Sequence, residues 1–306
     1  MNTNKLKENT MKNKLVISFS GGETSGYMLW WCLKFWRDKF EIIVLFANTG
    51  EENEETLVFV QKCAELFNIE IVWLEAIFHK EYMKGTTHKI VDFKTATRNS
   101  SLFEEMIKVY GIPNQAYPHC NRELKLAPIK SYLRSIGWKK YYTAIGIRSD
   151  EIDRVNINHK ELMLLYPFIS EKNITKAHVN FWWSQQPFRL DLKGYQGNCK
   201  TCWKKSDLKL WTIAKESPEK FNSFGSLENK YSRFIPESRE DKGKTITFFR
   251  KNRSAKQILK ESETRLEKAI DDSLNINFQS SLLDDESCDI YAECGLDNVK
   301  TKSDEI

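Results

Sequence analysis

A parallel α/β sheet with helices on both faces, followed by a helical extension that carries cysteines, is the fold class this sequence predicts. Three observations predict it. Four short apolar runs, at 15–19, 41–47, 70–76 and 141–147, recur through the first half of the chain. Helical patterns near 24–37, 54–67 and 125–136 separate them, and strands alternating with helices build a parallel sheet. The first run ends in Ser18-Phe19-Ser20-Gly21-Gly22-Glu23-Thr24-Ser25 and passes directly into a helix. Glycines there let backbone N–H groups approach an anion, and a helix N-terminus adds positive potential.

Each element follows from its residues. The run at 15–19 is the first strand, and its Ser-Gly-Gly turn is neither a Walker loop nor Gly-x-Gly-x-x-Gly. The helix at 24–37 places Leu29, Trp30, Cys32, Leu33 and Phe35 at helical spacing, and the helix at 54–67 does the same with Leu57, Val58, Val60, Cys63 and Leu66. Cys32 and Cys63 are therefore read as small core hydrophobes. A ligand of such a sheet lies beyond the carboxyl ends of the strands. The loops there carry the Ser-Gly-Gly turn, Asn48-Thr49-Gly50-Glu51-Glu52, and Arg148-Ser149-Asp150-Glu151-Ile152-Asp153-Arg154. From about Trp182 the texture changes: Trp182-Trp183, then Gly197-Asn198-Cys199-Lys200-Thr201-Cys202-Trp203, a helix over 207–216, a loop-rich stretch over 222–253 and a helix over 255–272. The tryptophans are read as packing residues.

The 306 residues, 41% of them hydrophobic, are enough to bury a core, and the net charge of +5 is spread along the chain. The basic stretch Phe248-Phe249-Arg250-Lys251-Asn252-Arg253 is read as a solvated helix approach rather than a nucleic-acid contact. No apolar run approaches the ~20 residues that cross a bilayer, and residues 1–14 are polar and Lys-rich without the apolar core of a signal peptide. A cytoplasmic protein with no membrane partner is expected. Its expected organisation is a disordered tail at 1–13, a nucleotide-binding domain at 14–180, a Cys-x-x-Cys helical and loop subdomain at 181–275, and a mobile cysteine-containing tail at 276–306.

Seven cysteines in such a chain are read as metal ligands or reactive thiols before disulfides. Five of them, Cys120, Cys199, Cys202, Cys288 and Cys294, sit among turn residues or polar neighbours. Cys199-x-x-Cys202 has the spacing that brings two thiolates to one ion or cluster. Cys199, Cys202, Cys288 and Cys294 would equally make a structural zinc site. The histidines lack ligand spacing, and only His119, beside Cys120, is a minor candidate ligand.

Five motifs occur in one order: Ser18-Phe-Ser-Gly-Gly-Glu-Thr-Ser25, Phe46-Ala-Asn-Thr-Gly-Glu51, Cys120-Asn-Arg-Glu-Leu-Lys-Leu-Ala-Pro128, Gly146-Ile-Arg-Ser-Asp-Glu-Ile-Asp-Arg154 and Gly197-Asn-Cys-Lys-Thr-Cys-Trp-Lys204. Together they resemble the signatures of the phosphoadenosine phosphosulfate (PAPS) reductase family, particularly its phage and mobile-element branch, within the PP-loop superfamily. The resemblance implies a Rossmann-like, adenine nucleotide α-hydrolase-like sheet over roughly 14–216. It implies that Ser18, Ser20, Gly21, Gly22, Thr24 and Ser25 hold phosphate or sulfate oxygens and that Asn48, Thr49 and Gly50 line the adenosine part of the pocket. Arg122 and Lys125, three apart on a helix, are expected to share a face and neutralise the anion. Arg148, Asp150, Glu151 and Arg154 either clamp an anion or bind a metal–nucleotide, with Mg²⁺ implied if ATP is the substrate.

Cys120 resembles the first cysteine of a Cys-Cys element that ligates a [4Fe-4S] cluster in adenylyl-sulfate reductases, with Asn121 in place of the second. The expected metal set is Cys120, Cys199, Cys202 and Cys288, holding either a [4Fe-4S] cluster or zinc. Glu293-Cys294-Gly295-Leu296-Asp297 resembles the Glu-Cys-Gly-Leu-His tail of sulfonucleotide reductases, with Asp297 replacing His. The expected catalytic set is Cys294, Lys125 and Arg148. Three functions remain open at this point. One is an oxidoreductase of sulfur metabolism that reduces adenylyl sulfate or PAPS to sulfite and is served by a thioredoxin-like reductant. Another is an ATP pyrophosphatase-type enzyme that adenylates a substrate for sulfur transfer, with nucleic acid as partner in DNA phosphorothioation or RNA thiolation. The last is a non-catalytic nucleotide-binding protein.

Overall fold

The computed structural model describes residues 12–79, 81 and 84–277. Six strands form one sheet in the order β4-β3-β2-β1-β5-β6, with β1 at Asn13–Ser18, β2 at Phe40–Ala47, β3 at Ile71–Ile77, β4 at Thr87–Val91, β5 at Tyr142–Ala144 and β6 at Leu164–Leu165. All neighbours run parallel except β3 and β4. The chain moves outward from β1 through β2 and β3, then returns to the other side of β1 with β5. Strand order therefore reverses between β1 and β5, whose carboxyl ends open a crevice.

Side chains alternate across the sheet, and both faces are buried, as parallel strands require. Leu15, Ile17, Val44 and Phe46 face a core shared with α1 (Glu23–Phe35) and α2 (Glu54–Phe67), where Met28, Phe59 and the 0% exposed Cys32 and Cys63 lie. Burial pushes both thiols far above the usual thiol range. Val16, Leu45 and Leu74 face the opposite side, against Ile129 and Leu133.

Several elements differ from the sequence-based expectation. β4 is an edge strand of half-exposed Thr-His-Lys-Ile-Val, too polar to read as buried. α3 (Ser101–Tyr110) was not expected. The helix expected at 125–136 is preceded by a π-helical turn at Arg122–Leu126, which leads into α4 (Ala127–Ser135). Trp182 and Trp183 lie in α5 (Lys176–Ser184), and α6 (Asp207–Glu216) has the expected bounds. The stretch expected to be loop-rich contains α7 (Asn222–Tyr231), because Phe224 and Leu227 bury one helical face. The last helix, α8 (Ala255–Glu263), ends well before residue 272. Beyond it the backbone bonds to other elements: Thr212 Oγ1 accepts from Ala269 N at 2.8 Å, and Asn180 Nδ2 donates to Asp272 O at 2.8 Å.

A second core joins α3, α6, α7 and α8 through Phe103, Met106, Leu210, Phe224, Phe248 and Ile258. Trp183 meanwhile packs in the first core and donates its Nε1–H to Glu23 O at 2.7 Å. Packing thus crosses residues 180/181 in both directions, with Trp183 in the first core and Phe103 and Met106 in the second. The division between the cores does not follow the order of the sequence. Among the described residues no helix is long and apolar enough to cross a membrane.

Candidate functional site

The crevice between β1 and β5 is a cleft lined by residues 18–25, Ala47 at the end of β2, Thr56, Lys125, Gly146, Arg148, Glu151 and a far wall of Lys176, Leu190, Leu192, Lys193, Gly194, Gly197, Asn198 and Ser273. Its floor is the loop from β1 to α1. Gly21 has φ +78, and a Cβ there would meet Thr56 Cγ2 at 2.6 Å, so only glycine fits without strain. Gly22 is the residue before the first helical turn, and a Cβ at this position would meet only Ser20 Oγ, at 3.8 Å. The loop is braced internally: Ser20 Oγ and Ser25 Oγ lie 2.9 Å apart, and Ser25 Oγ donates to Gly22 O at 2.9 Å. This braced turn at the start of a 13-residue helix presents backbone amides and positive potential to the cleft.

Four cationic side chains line the cleft, Lys125, Arg148, Lys176 and Lys193, against two carboxylates, Glu23 and Glu151. Both carboxylates are answered by arginine. Arg189 donates to Glu23 from Nε at 2.9 Å and Nη2 at 2.8 Å, a two-point fork. Glu151 pairs with Arg154 and, at 3.4 Å, with Arg148. The buried Arg148 guanidinium also donates to Asp150 Oδ1 at 3.0 Å and to Thr24 Oγ1 at 3.2 Å, which ties the β5 loop to the β1 loop. Lys193 pairs with Glu216 at 3.0 Å, and its hydrogen bonds to Tyr195 and Glu216 hold its ammonium above the usual lysine range.

The expected anion-binding residues Ser18, Ser20, Gly21, Gly22, Thr24 and Ser25 all line this cleft, as do Lys125, Arg148 and Glu151. Asp150 and Arg154 stand behind the lining as partners of Arg148 and Glu151. Of Arg122 and Lys125, only Lys125 lines the cleft. Lys125 reaches the cleft from the π-helical turn, a rare geometry that recurs at functional sites. Arg122 is turned away, donating to Glu123 Oε1 at 2.6 Å and lying over the Tyr110 ring. The wider turn removes the shared face that α-helical spacing implied.

Asn48, Thr49 and Gly50 lie outside the cleft lining. Asn48 is 0% exposed and donates to Glu75 Oε1 at 2.7 Å and Thr97 O at 2.8 Å. Thr49 is 1% exposed, and its hydroxyl donates to the Glu52 carboxylate at 2.8 Å. Gly50 turns with φ +79 against Asn99 O. These residues knit the loop after β2 to its surroundings, and their polar groups are spent inside the protein. The same loop anchors the extension: Lys200 N donates to Glu51 O at 2.8 Å, Ser223 Oγ to Glu51 Oε2 at 3.2 Å and Asn53 Nδ2 to Gln196 O at 3.0 Å.

Cys199 and Cys202 are buried in one turn, where Cys202 N donates to Cys199 O at 3.2 Å, and Cys199 Sγ lies 3.5 Å from Thr49 Oγ1. Cys120 packs at the edge of the second core. Beside it, His119 bonds Gly111 O at 3.0 Å, and burial lowers its pKa to about 4. Among the described residues no group of three or more His, Cys, Asp or Glu is placed to hold a metal ion. Of the expected four-cysteine set, Cys120, Cys199 and Cys202 are described, and these three do not by themselves make such a group. Cys288 and Cys294 lie outside the described residues. The basic stretch at 248–253 serves packing: Phe248 and Phe249 are buried, and Arg253 is paired with Asp207 and Glu261.

Lys176, Lys193, Leu190 and Leu192 were not singled out in the sequence. The one available signal was the alternation Phe188-Arg189-Leu190-Asp191-Leu192-Lys193, with every second residue apolar.

Residues 14–95, which hold the first loop and strands β1 to β4, match the model of the phosphoadenosine phosphosulfate reductase domain. The nin region protein ORF290 of Escherichia phage lambda is 31% identical over 205 residues, 66% of this chain and 69% of that protein. A protein of Methanocaldococcus jannaschii is 31% identical over 134 residues, of whose length this chain spans only 26%. Among solved structures, the U34-tRNA thiolase NcsA from Methanococcus maripaludis, which carries a [4Fe-4S] cluster, is similar over 84% of this chain and 82% of its own, at 17% identity and a TM-score of 0.35. With the PP-loop at its switch point and a phage relative aligned along two thirds of both chains, the protein belongs to the phosphoadenosine phosphosulfate reductase domain family.

Proposed function

We propose that the protein binds adenylyl sulfate or PAPS in this cleft and reduces its sulfonyl group to sulfite through Cys294. The observation that carries the reading is the cleft lining: the backbone amides of the loop at the start of α1 stand beside Lys125, Arg148, Lys176 and Lys193, and both lining carboxylates are paired with arginines. Such a lining suits a ligand whose anionic groups are met by protein cations and amides. In this reading the loop amides and Arg148 hold the phosphate, and Lys125 stabilises the charge that develops on it. The Cys294 thiolate attacks sulfur and the S–O bond to phosphate breaks. AMP, or adenosine 3′,5′-bisphosphate from PAPS, leaves with that electron pair, and a cysteine S-sulfonate forms. A thioredoxin-like dithiol then attacks the cysteine sulfur, releases sulfite and ends as a disulfide, returning Cys294 as a thiol.

Calorimetric titration of the full chain tests the binding step. Adenylyl sulfate is expected to bind equally well with and without a Mg²⁺ chelator. Cys294→Ser is expected to abolish sulfite release while leaving that binding unchanged, and retained sulfite release would remove Cys294 as the nucleophile.

A second reading, ATP-dependent adenylation of a sulfur acceptor such as a nucleic acid, draws on the intact Ser-Gly-Gly-x-x-Ser loop with its Ser20–Ser25 brace. Its mark is Mg²⁺-dependent release of pyrophosphate from ATP. Seeing that without sulfite release from adenylyl sulfate would replace the first reading with the second.

A further inference from the structure

The π-helical turn Arg122–Leu126 sends three successive side chains to three different places. Lys125 lines the anion cleft. Leu124 is 0% exposed in the second core. Glu123 is buried and does neither: its carboxylate accepts from the Thr86 hydroxyl, just before β4, and from Arg122 Nε at 2.6 Å. Thr86 is buried as well, and its hydroxyl lies 3.4 Å from Tyr110 Oη at the end of α3. The Arg122 guanidinium lies over the Tyr110 ring, 5.9 Å from its centroid. Thr86, Tyr110, Arg122 and Glu123 all stand outside the cleft lining.

The turn explains what this network can do. Ala127 N donates to Arg122 O, the wider i→i+5 bond of a π-helix, and such turns are rare. A lysine carries its ammonium on a flexible four-carbon stem, so the charge stands only as precisely as the backbone that bears it. Leu124 anchors the turn in the core, but apolar burial is non-directional and does not fix the turn's rotation. Glu123 supplies direction, because its bond to Thr86 ties the turn to a different segment of the chain. Burying a carboxylate costs stability that an apolar side chain would not, so packing alone gives no reason for it here.

We infer that Glu123 is a positioning residue: through Thr86 and Arg122 it fixes the π-helical turn so that Lys125 presents its ammonium to the anion in the cleft. The inference rests on the reading of the cleft as a nucleotide site and adds a residue that acts on the ligand through Lys125.

A double-mutant cycle on the full chain, read by calorimetric titration with adenylyl sulfate, tests it. Lys125→Ala is expected to weaken binding about tenfold or more, the loss of one charge-assisted contact. Glu123→Ala is expected to weaken it about fivefold in the wild-type background and less than about twofold in Lys125→Ala, where no ammonium is left to misplace. Glu123→Gln is expected to bind as the wild type does. Its amide oxygen still accepts from Arg122, and its NH₂ donates to the Thr86 hydroxyl, which accepts as readily as it donates. Should Glu123→Ala show no cooperative urea transition, Thr86→Val, which removes only one of the two bonds, takes its place in the cycle with the same expected pattern. A loss of equal size in both backgrounds would make Glu123 merely structural and overturn the inference. A folded Glu123→Ala that binds like the wild type would overturn it too, as would unchanged affinity in Lys125→Ala. If the wild type itself binds no adenylyl sulfate, the nucleotide reading of the cleft falls, and this inference with it.

Discussion

Gly22→Val is expected to abolish nucleotide binding while leaving the protein as stable as the wild type. Gly22 has φ −100 and ψ 159, extended backbone that a β-branched residue adopts readily, so the substitution adds no strain. The nearest atom to its new Cβ is Ser20 Oγ at 3.8 Å, and the added methyl groups stand in the volume in front of the first helical turn. A phosphate oxygen that must approach those amides is excluded. Each charge-assisted hydrogen bond lost is worth about 1.5–3 kcal/mol, so two of them lower affinity by about a hundredfold or more. The neighbouring glycine behaves oppositely. Gly21→Ala forces a Cβ into a left-handed position 2.6 Å from Thr56 Cγ2, and its main effect is expected on the unfolding midpoint. Titration with adenylyl sulfate and thermal melts of the two variants separate the effects. A Gly22→Val protein that binds nucleotide normally would mean that the ligand does not use the N-terminus of α1.

Sequence pattern disclosed the parts of this site that are local and hid those that are assembled. The Ser-Gly-Gly turn could be read because one strand, one turn and one helix carry its whole geometry in eight consecutive residues. The loop after β5 was legible for the same reason. Arg122 does not join Lys125 in the cleft lining, because the chain makes a π-helical turn where α-helical spacing implies one shared face. Asn48, Thr49 and Gly50 carry polar groups that look available in sequence, yet Glu75, Thr97 and Glu52 consume them, two from other segments. Leu190 and Leu192 enter the cleft beside Arg189, which binds Glu23 across more than a hundred and fifty residues. Such a pairing is tertiary, and single-sequence periodicity has no access to it. The helix expected to reach residue 272 failed similarly, since Thr212 and Asn180 take up backbone groups of 269–275 that a helix would have paired internally.

Glu51→Gln is expected to stabilise the protein above neutral pH and to have little effect in mild acid. Glu51 is 1% exposed at the junction between the loop after β2, Lys200 and Ser223. Burial raises its pKa from 4.5 to about 7, against the opposing pull of Lys200 and the Ser223 hydrogen bond. The folded protein therefore holds a proton that the unfolded chain releases between these two values. Stability from this site is fully present below about 4.5, declines as pH rises and is lost above about 7. The total is about 3 kcal/mol at about 1.4 kcal/mol per tenfold of proton affinity.

A glutamine is neutral throughout, so it escapes the decline and still offers an oxygen to Ser223. Glu228 provides the contrast, because its pKa is also raised to about 7 by burial, yet its two oxygens accept from Phe248 N and Ala255 N at 2.9 and 2.8 Å. In Glu228→Gln the amide NH₂ faces a backbone N–H and leaves a buried donor unpaired, a cost of about 1–3 kcal/mol that stands alone in mild acid and is offset above about pH 7 by the escape from ionisation. Urea unfolding near pH 5 and near pH 8 distinguishes the variants. The expected pattern is a midpoint for Glu51→Gln that exceeds the wild type only at the higher pH, and one for Glu228→Gln that falls near pH 5 and closes on the wild type near pH 8, where the wild-type carboxylate also loses stability by ionising. Equal midpoints for Glu51→Gln and wild type near pH 8 would show that the Glu51 carboxylate is accommodated as an anion beside Lys200.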